Sequence, residues 1–253
     1  VVVSVRGAHN RRGARATVAR RLGRPDVARD VIEAMMIDRG LRRSFDPAVE
    51  HEAREAAQSG AEGDGARRDL RGTTTFTIDP PSAKDFDDAI SAAPEADGWR
   101  VSVHIADVAA FAAPGSLVDR EAYRRATSVY VPGGVEPMLP GALSNQACSL
   151  VPGQDRLAVT VEMLVRDGEV AQSAFYRSLI HSDERLDYDQ VDRIFAGAER
   201  AAEPWAQALA AARAAAAGLG ARRAAQASLV LDSSEPEFVF DRRGDVVSAQ
   251  AVE

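Results

Sequence analysis

The chain has 253 residues, 45% of them apolar and 27% charged, with a formal net charge of −7. That size suits one large domain, or one domain with part of another, and the acidic balance read over the whole chain argues against a polyanion binder. The single cysteine, Cys148, excludes an intrachain disulfide and fits a reducing, cytoplasmic setting, and no apolar run reaches the length of a membrane span and no signal peptide is visible.

Charge distribution says more than the total. No acidic residue occurs between Val1 and Pro25, whereas Arg6, Arg11, Arg12, Arg15, Arg20, Arg21 and Arg24 all fall there. Such an end could steer a polyanion, or be a solvated arginine-rich surface. Val1–Val5 and 14–18 read as short strands around an Arg/Gly turn. Because the chain starts inside a strand-like run without an initiator Met, it is expected to be part of a longer protein. Asp26 is the predicted N-cap of a helix running through Met36, with Val27, Val31 and Ile32 on one face. Residues 59–66 form a Gly-rich polar linker.

Next comes a region of mixed α and β character. Residues 73–78 are β-branched and end at Asp79, so a strand delivers that carboxylate. Residues 89–92 and 101–105 read as a hairpin around Asp97-Gly98, and 118–127 as a helix. Residues 157–165 alternate and turn at Asp167-Gly168 into a partner strand over 170–179. Beyond Asp183, residues 188–195 form a short helix. The alanine-rich stretch 204–227 is helical and is expected to be interrupted at Gly218 and Gly220. Cys148 reads as a small buried apolar group rather than a nucleophile.

The chemistry concentrates in Ile78-Asp79-Pro80-Pro81-Ser82-Ala83-Lys84-Asp85-Phe86-Asp87-Asp88-Ala89, where four carboxylates fall within ten residues around two prolines. A stiff loop that converges like charges raises its own energy, and a hard divalent cation removes that cost. Such an ion polarises phosphoryl oxygens and activates water, which suits phosphodiester hydrolysis. On this reading Asp79 and Asp88 are direct ligands and Asp87 serves a second ion or the attacking water. Lys84, the only lysine in the chain, neutralises phosphate charge or braces the carboxylates. A solvated acidic loop is the alternative. An EF-hand is not, because Ala89 and Ile90 stand where an oxygen ligand and a glycine are needed.

This segment resembles the signature of the RNase II/RNase R family. Val103-His104-Ile105-Ala106-Asp107-Val108, Ser128-Val129-Tyr130-Val131-Pro132, Pro137-Met138-Leu139-Pro140, Leu143-Ser144-Asn145, Cys148-Ser149-Leu150, Asp155-Arg156-Leu157-Ala158 and Arg185-Leu186-Asp187-Tyr188 follow in the family's order. The resemblance covers roughly residues 68–250. It implies an α+β fold in which residues 68–253 form a mixed-sheet catalytic domain, incomplete at its C-terminal end. A helical linker precedes it at 26–67, and the end of an OB-type (cold-shock) β-barrel at 1–25.

The resemblance also implies a Mg²⁺-dependent (or Mn²⁺-dependent) exoribonuclease that degrades single-stranded RNA from its 3′ end to nucleoside 5′-monophosphates. Asp79, Asp85, Asp87 and Asp88 match its catalytic, metal-binding aspartates, and Tyr130 the aromatic that stacks on a base. His104 and His181 are expected to be structural. Leu231 stands where the family has a second stacking aromatic, and a leucine packs but does not stack. The family's further acidic helix, phosphate-contacting arginine and S1-type domain have no match here, so the chain alone is expected to be weakly active or inactive. An RNA-binding module without catalysis and a phosphohydrolase of small esters are the competing readings.

Overall fold

The structure is a computed structural model, and it describes residues 1–6, 15–41, 44–60, 66–132, 134–226, 228–229 and 234–252. In chain order the elements are β1 (Val2–Arg6), β2 (Arg15–Arg20), α1 (Ala28–Asp38), α2 (Pro47–Ser59), β3 (Arg68–Asp69), β4 (Phe76–Asp79), β5 (Asp88–Glu95) and β6 (Gly98–Ala106). Then follow α3 (Leu117–Arg125), β7 (Val129–Val131), β8 (Gly134–Glu136), β9 (Asp155–Arg166), β10 (Glu169–His181), β11 (Glu184–Asp187), α4 (Tyr188–Phe195), α5 (Ala206–Ala225), β12 (Glu235–Phe240) and β13 (Val246–Val252). The expected α+β class with a large mixed sheet is what the chain adopts.

Two compact units divide the chain. One comprises Val1–Phe45, Arg124–Met138 and Val230–Glu253, and the other Asp46–Tyr123 and Leu139–Leu229. The first unit holds the antiparallel pairs β1–β2, β7–β8 and β12–β13 together with α1. The described residues of 1–25, where the end of an OB-type barrel was expected, form the two-stranded β1–β2 sheet and no barrel. Helix α1 begins one step later than its sequence suggests: its N-cap is Val27, with no side-chain cap. Asp26 is instead drawn into an ion pair with Arg24, while Asp30 accepts the Arg24 backbone N–H at 2.7 Å.

The second unit is built on a seven-stranded sheet in the order β11-β4-β5-β6-β9-β10-β3. Its central hairpins are antiparallel, whereas β4–β11 and β10–β3 are parallel. Phe76, Leu186, Val191, Trp205, Ala208 and Leu209 form a buried cluster in which strands β4 and β11 meet helices α4 and α5. Helix α4 starts where Asp187 accepts the Gln190 N–H at 2.7 Å, a side-chain cap for an orphan donor. Helix α2, read from sequence only as part of a helical linker, has the same device: Asp46 accepts from Ala48 N at 2.9 Å and Pro47 opens the first turn.

Helix α5 runs unbroken through Gly218 and Gly220, against expectation. The reason at Gly218 is packing. Gly168 turns the β9–β10 hairpin at φ +73°, and a Cβ there would lie 2.6 Å from the Gly218 carbonyl oxygen. Two facing glycines let hairpin and helix backbones approach, which outweighs the modest helix cost of one glycine.

The core cluster sets a stability prediction. Phe76 is fully buried at the middle of this contact, so Phe76→Ala should lower the unfolding free energy by about 3–5 kcal/mol. Urea denaturation followed by far-UV circular dichroism measures this; a loss below about 1 kcal/mol would show that the site collapses to fill the gap.

Candidate active site

Strand β4 ends on Asp79 and strand β5 starts on Asp88, so the antiparallel pair, in register at Phe76 and Ile90, carries an aspartate on each arm at one end. The loop between them carries Asp85 and Asp87. β11, parallel to β4, places Asp187 beside Asp79 in the ladder. Thus β4, β5 and the connecting loop bring the four predicted carboxylates to one end of the sheet.

The loop is held through its main chain. Ala83 N donates to Pro80 O at 2.9 Å, closing the proline turn. Arg185, on β11, donates to Pro80 O at 3.0 Å and Pro81 O at 2.9 Å. Its guanidinium also lies 4.9 Å from the centroid of the Phe86 ring, a cation–π distance. Phe86 is buried, and its N–H donates to Ser149 Oγ at 3.0 Å while its carbonyl accepts from Leu150 N at 2.9 Å. The Ser149 hydroxyl donates to Lys84 O at 3.3 Å, and Ala106 N donates to Asp87 O at 2.9 Å. With Phe86 anchored inward, Asp85 is left half-buried and Asp87 exposed.

The electrostatics follow from this crowding. Burial raises the Asp79 pKa above the ordinary aspartate value; the charges of Asp88 and Asp85 add to it, and Arg185 opposes. Thr77 lies close enough to favour the ionised form without completing a hydrogen bond, since Thr77 Oγ1 and Asp79 Oδ2 are both buried and unpartnered. Asp87 is exposed by area, yet its packed surroundings and then the charges of Asp85 and Asp88 also raise its pKa. Each carboxylate of this group therefore lies in its neighbours' field. Among the described residues, however, no three His, Cys, Asp or Glu side chains stand together in a group that could hold a metal ion.

The other predicted residues are placed as follows. Lys84 is exposed on the same loop. Tyr130 lies on β7 in the other compact unit and is 71% exposed. His104 is structural as expected: fully buried, its Nε2 lies 2.9 Å from Ser91 Oγ and its Nδ1 2.8 Å from Thr160 Oγ1, and burial lowers its pKa to about 4. His181 Nδ1 lies 2.8 Å from Asp155 Oδ1. Cys148 is buried and its thiol is pushed up to about 12, which removes it as a nucleophile. Leu231 lies outside the described residues.

Arg185, Ser149 and Asp187 were missed as site residues. All three sit in segments that carry the family resemblance, but a lone arginine or serine far along the chain has no spacing that announces a role.

A family model described as the RNB domain matches residues 67–253. The chain belongs to the RNB-domain family. Ribonuclease R of Chlamydia trachomatis is 50% identical over 131 residues, 51% of this chain and 19% of that protein. Ribonuclease R of Thermotoga maritima is 42% identical over 186 residues, 72% of this chain and 26% of that protein. Among solved structures, Mycoplasma genitalium RNase R in complex with ribose-methylated single-stranded RNA matches with a TM-score of 0.87 at 30% identity, covering 95% of this chain and 38% of that one. The chain therefore spans about a fifth to two fifths of the length of these relatives.

Repulsion in this RNB-domain site predicts a stability effect. A carboxylate whose folded pKa is raised binds more protons folded than unfolded, so it lowers stability as pH rises through that window and keeps it lowered above. Asp87→Asn should therefore raise the melting temperature in EDTA at neutral pH, and the gain should vanish as pH falls below the ordinary aspartate value of 3.8. Thermal melts from pH 3 to 8 decide it; a gain independent of pH would place the effect outside Asp87 ionisation.

Proposed function

We propose that this chain supplies the metal-binding carboxylates of a 3′→5′ exoribonuclease acting on single-stranded RNA. The observation that carries the reading is that Asp79, Asp85, Asp87 and Asp88 share one loop and its two strand ends, within one another's field, with Asp79 Oδ2 buried and unpartnered. A protein normally satisfies such an atom. An all-oxygen donor set, in which Asp79 and Asp87 have raised pKa values, fits a hard divalent cation such as Mg²⁺, with Mn²⁺ the nearest alternative. When bound, such a cation polarises the phosphoryl group and lowers the pKa of water.

The chain's own residues then divide the work. Asp79 and Asp88, on the two strand ends, hold the cation. Asp85 completes the charge, and Asp87, the most solvent-facing with Asp88, orients the attacking water. That water loses a proton as its oxygen adds to phosphorus, the bond to the 3′ oxygen of the preceding nucleotide breaks, that oxygen takes up a proton to become a 3′-hydroxyl, and a nucleoside 5′-monophosphate leaves. Lys84 offsets charge on the phosphate. Tyr130 stacks on a base, a contact that tolerates any sequence. The named relatives support the reaction class: two are ribonucleases, and the solved relative was captured with single-stranded RNA.

A single substitution tests it. In the protein that carries this chain, Asp87→Asn should reduce Mg²⁺-dependent release of mononucleotides from labelled single-stranded RNA by at least about 10²-fold, the scale expected of a group acting on the attacking water. RNA binding should persist. Retention of Mg²⁺-dependent RNA loss at the parent rate removes the catalytic reading and leaves a binding module.

A further inference from the structure

We propose that Thr77 is a positioning residue for Asp79: its buried hydroxyl donates to the carboxylate and holds it for a divalent cation. The inference rests on the metal-binding reading above and adds to it a residue that touches neither cation nor RNA.

Strand β4 runs Phe76-Thr77-Ile78-Asp79, and alternate side chains of a strand share a face. Phe76 and Ile78 go to the apolar cluster with α4 and α5, so Thr77 and Asp79 lie together on the other face. Thr77 is fully buried. Among the described residues, its Oγ1 and Asp79 Oδ2 are both buried and both without a hydrogen-bond partner. Burial raises the Asp79 pKa, and Thr77 is the first group to oppose that by favouring the ionised form. The two groups are complementary. A hydroxyl brings one proton, and a carboxylate has about four lone-pair sites, enough for a donor and a cation at once.

Thr75, two residues earlier, has the same chemistry and is committed. Its Oγ1 donates to Thr73 O at 2.9 Å and lies 2.8 Å from Ser91 Oγ. One buried threonine is thus satisfied, and the next, nearer the carboxylates, is left open. An unpaired buried hydroxyl is unfavourable, and valine would suit the strand without it. The hydroxyl therefore has a use that packing does not supply.

Arg185 is the other donor at hand. It stands beside Thr77 in the β4–β11 ladder, as Asp187 stands beside Asp79, and its Nε is also buried without a partner. Its Nη2, however, is committed to the Pro80 and Pro81 carbonyls, and its guanidinium faces the Phe86 ring. It grips the loop rather than the carboxylate. Charge favours the same division. A guanidinium bonded to Asp79 would compete with a cation, whereas a neutral hydroxyl orients the carboxylate and leaves its charge whole. Partners that hydrogen-bond a ligating carboxylate from behind are what hold it for a metal.

The competing role for Thr77 is structural, a β-branched side chain filling a buried strand position. Valine keeps that shape without the hydroxyl, and serine keeps the hydroxyl without the methyl. Mn²⁺ uptake by the protein that carries this chain, without RNA, is followed by the electron paramagnetic resonance of free Mn²⁺. Asp79→Asn identifies the uptake that belongs to this site. Thr77→Val should weaken that uptake about 10-fold or more, the scale of losing a partner behind a metal ligand. Its melting temperature in EDTA should stay at or above the parent's, because an unpaired buried hydroxyl has gone. Thr77→Ser should bind close to the parent's affinity.

Equal affinity in Thr77→Val and the parent overturns the proposal. So does a loss shared by Thr77→Ser or accompanied by a lower melting temperature in EDTA, either of which assigns the residue to packing. If Thr77→Val does not fold, Thr77→Ala and Thr77→Ser, which both lack the methyl, decide: tighter binding by the serine variant supports the positioning role, and equal binding overturns it. Failure of the metal-binding reading looks different: the parent then takes up no Mn²⁺ that Asp79→Asn removes, and this inference falls with it.

Discussion

Four like charges held at one end of a β-hairpin repel one another, and the second unit is organised around bearing that repulsion. Several acids elsewhere in it are paired. Asp107, nearly buried, meets Arg67 at 2.7 Å. Asp155 is shared by His181 and Arg71, and Asp69 is held by Arg71. Among the described residues none of Asp79, Asp85, Asp87 and Asp88 is in an ion pair. The scaffold grips their loop by its carbonyls and N–H groups instead, through Arg185, Ser149 and Ala106. An arginine bonded directly to Asp79 would be more stabilising in isolation, since charge-assisted bonds are the strong ones. It would also occupy the oxygens that a cation needs. Fixing the main chain and leaving the carboxylates open keeps the donors fixed and available.

The sheet beneath is stiffened by a polar line of unusual continuity. Thr75, Ser91, His104, Thr160 and Ser178 are all buried, and they connect neighbour to neighbour from the segment just before β4 across β5, β6 and β9 to β10. At its ends Thr75 contacts Thr73 O at 2.9 Å and Ser178 contacts Ala158 O at 3.2 Å. Four hydroxyls and a neutral imidazole bring five protons to six contacts. Ser178 donates to the Ala158 carbonyl at one end and Thr75 to the Thr73 carbonyl at the other, and the remaining protons are shared along the line between them. Burial keeps the ring neutral. A one-residue slip of any strand would break it, so the line fixes the register of the strands whose ends carry Asp79 and Asp88.

Local signals in the sequence were legible, and distant ones were not. The bounds of α4 follow from an aspartate cap and an amphipathic stripe lying within eight residues. The four aspartates are legible for the same reason: stiff prolines and acids share one short segment. Arg185 acts on residues 105 and 104 positions earlier, and Ser149 on one 63 positions earlier; no periodicity links such pairs. β11 has four residues and β7 and β8 three each, too short to show alternation. Asp26 failed as a cap because Arg24, two residues away, competes for its carboxylate. Gly218 failed as a breaker because its contact with Gly168 forms only in the folded chain.

Net charge misleads for a related reason. A total of −7 is the sum of an acidic unit and a basic one, and a nucleic acid does not feel the sum. Screening at physiological ionic strength confines each surface charge to about 8 Å, so a strand responds to the charges lining the surface it touches. The acidic unit gains from its charge only where cations gather, and the basic unit only where anions do. On that account a negative total does not weigh against nucleic-acid binding, because 27 acids outnumber 16 basic residues in one unit while 15 arginines outnumber 11 acids in the other.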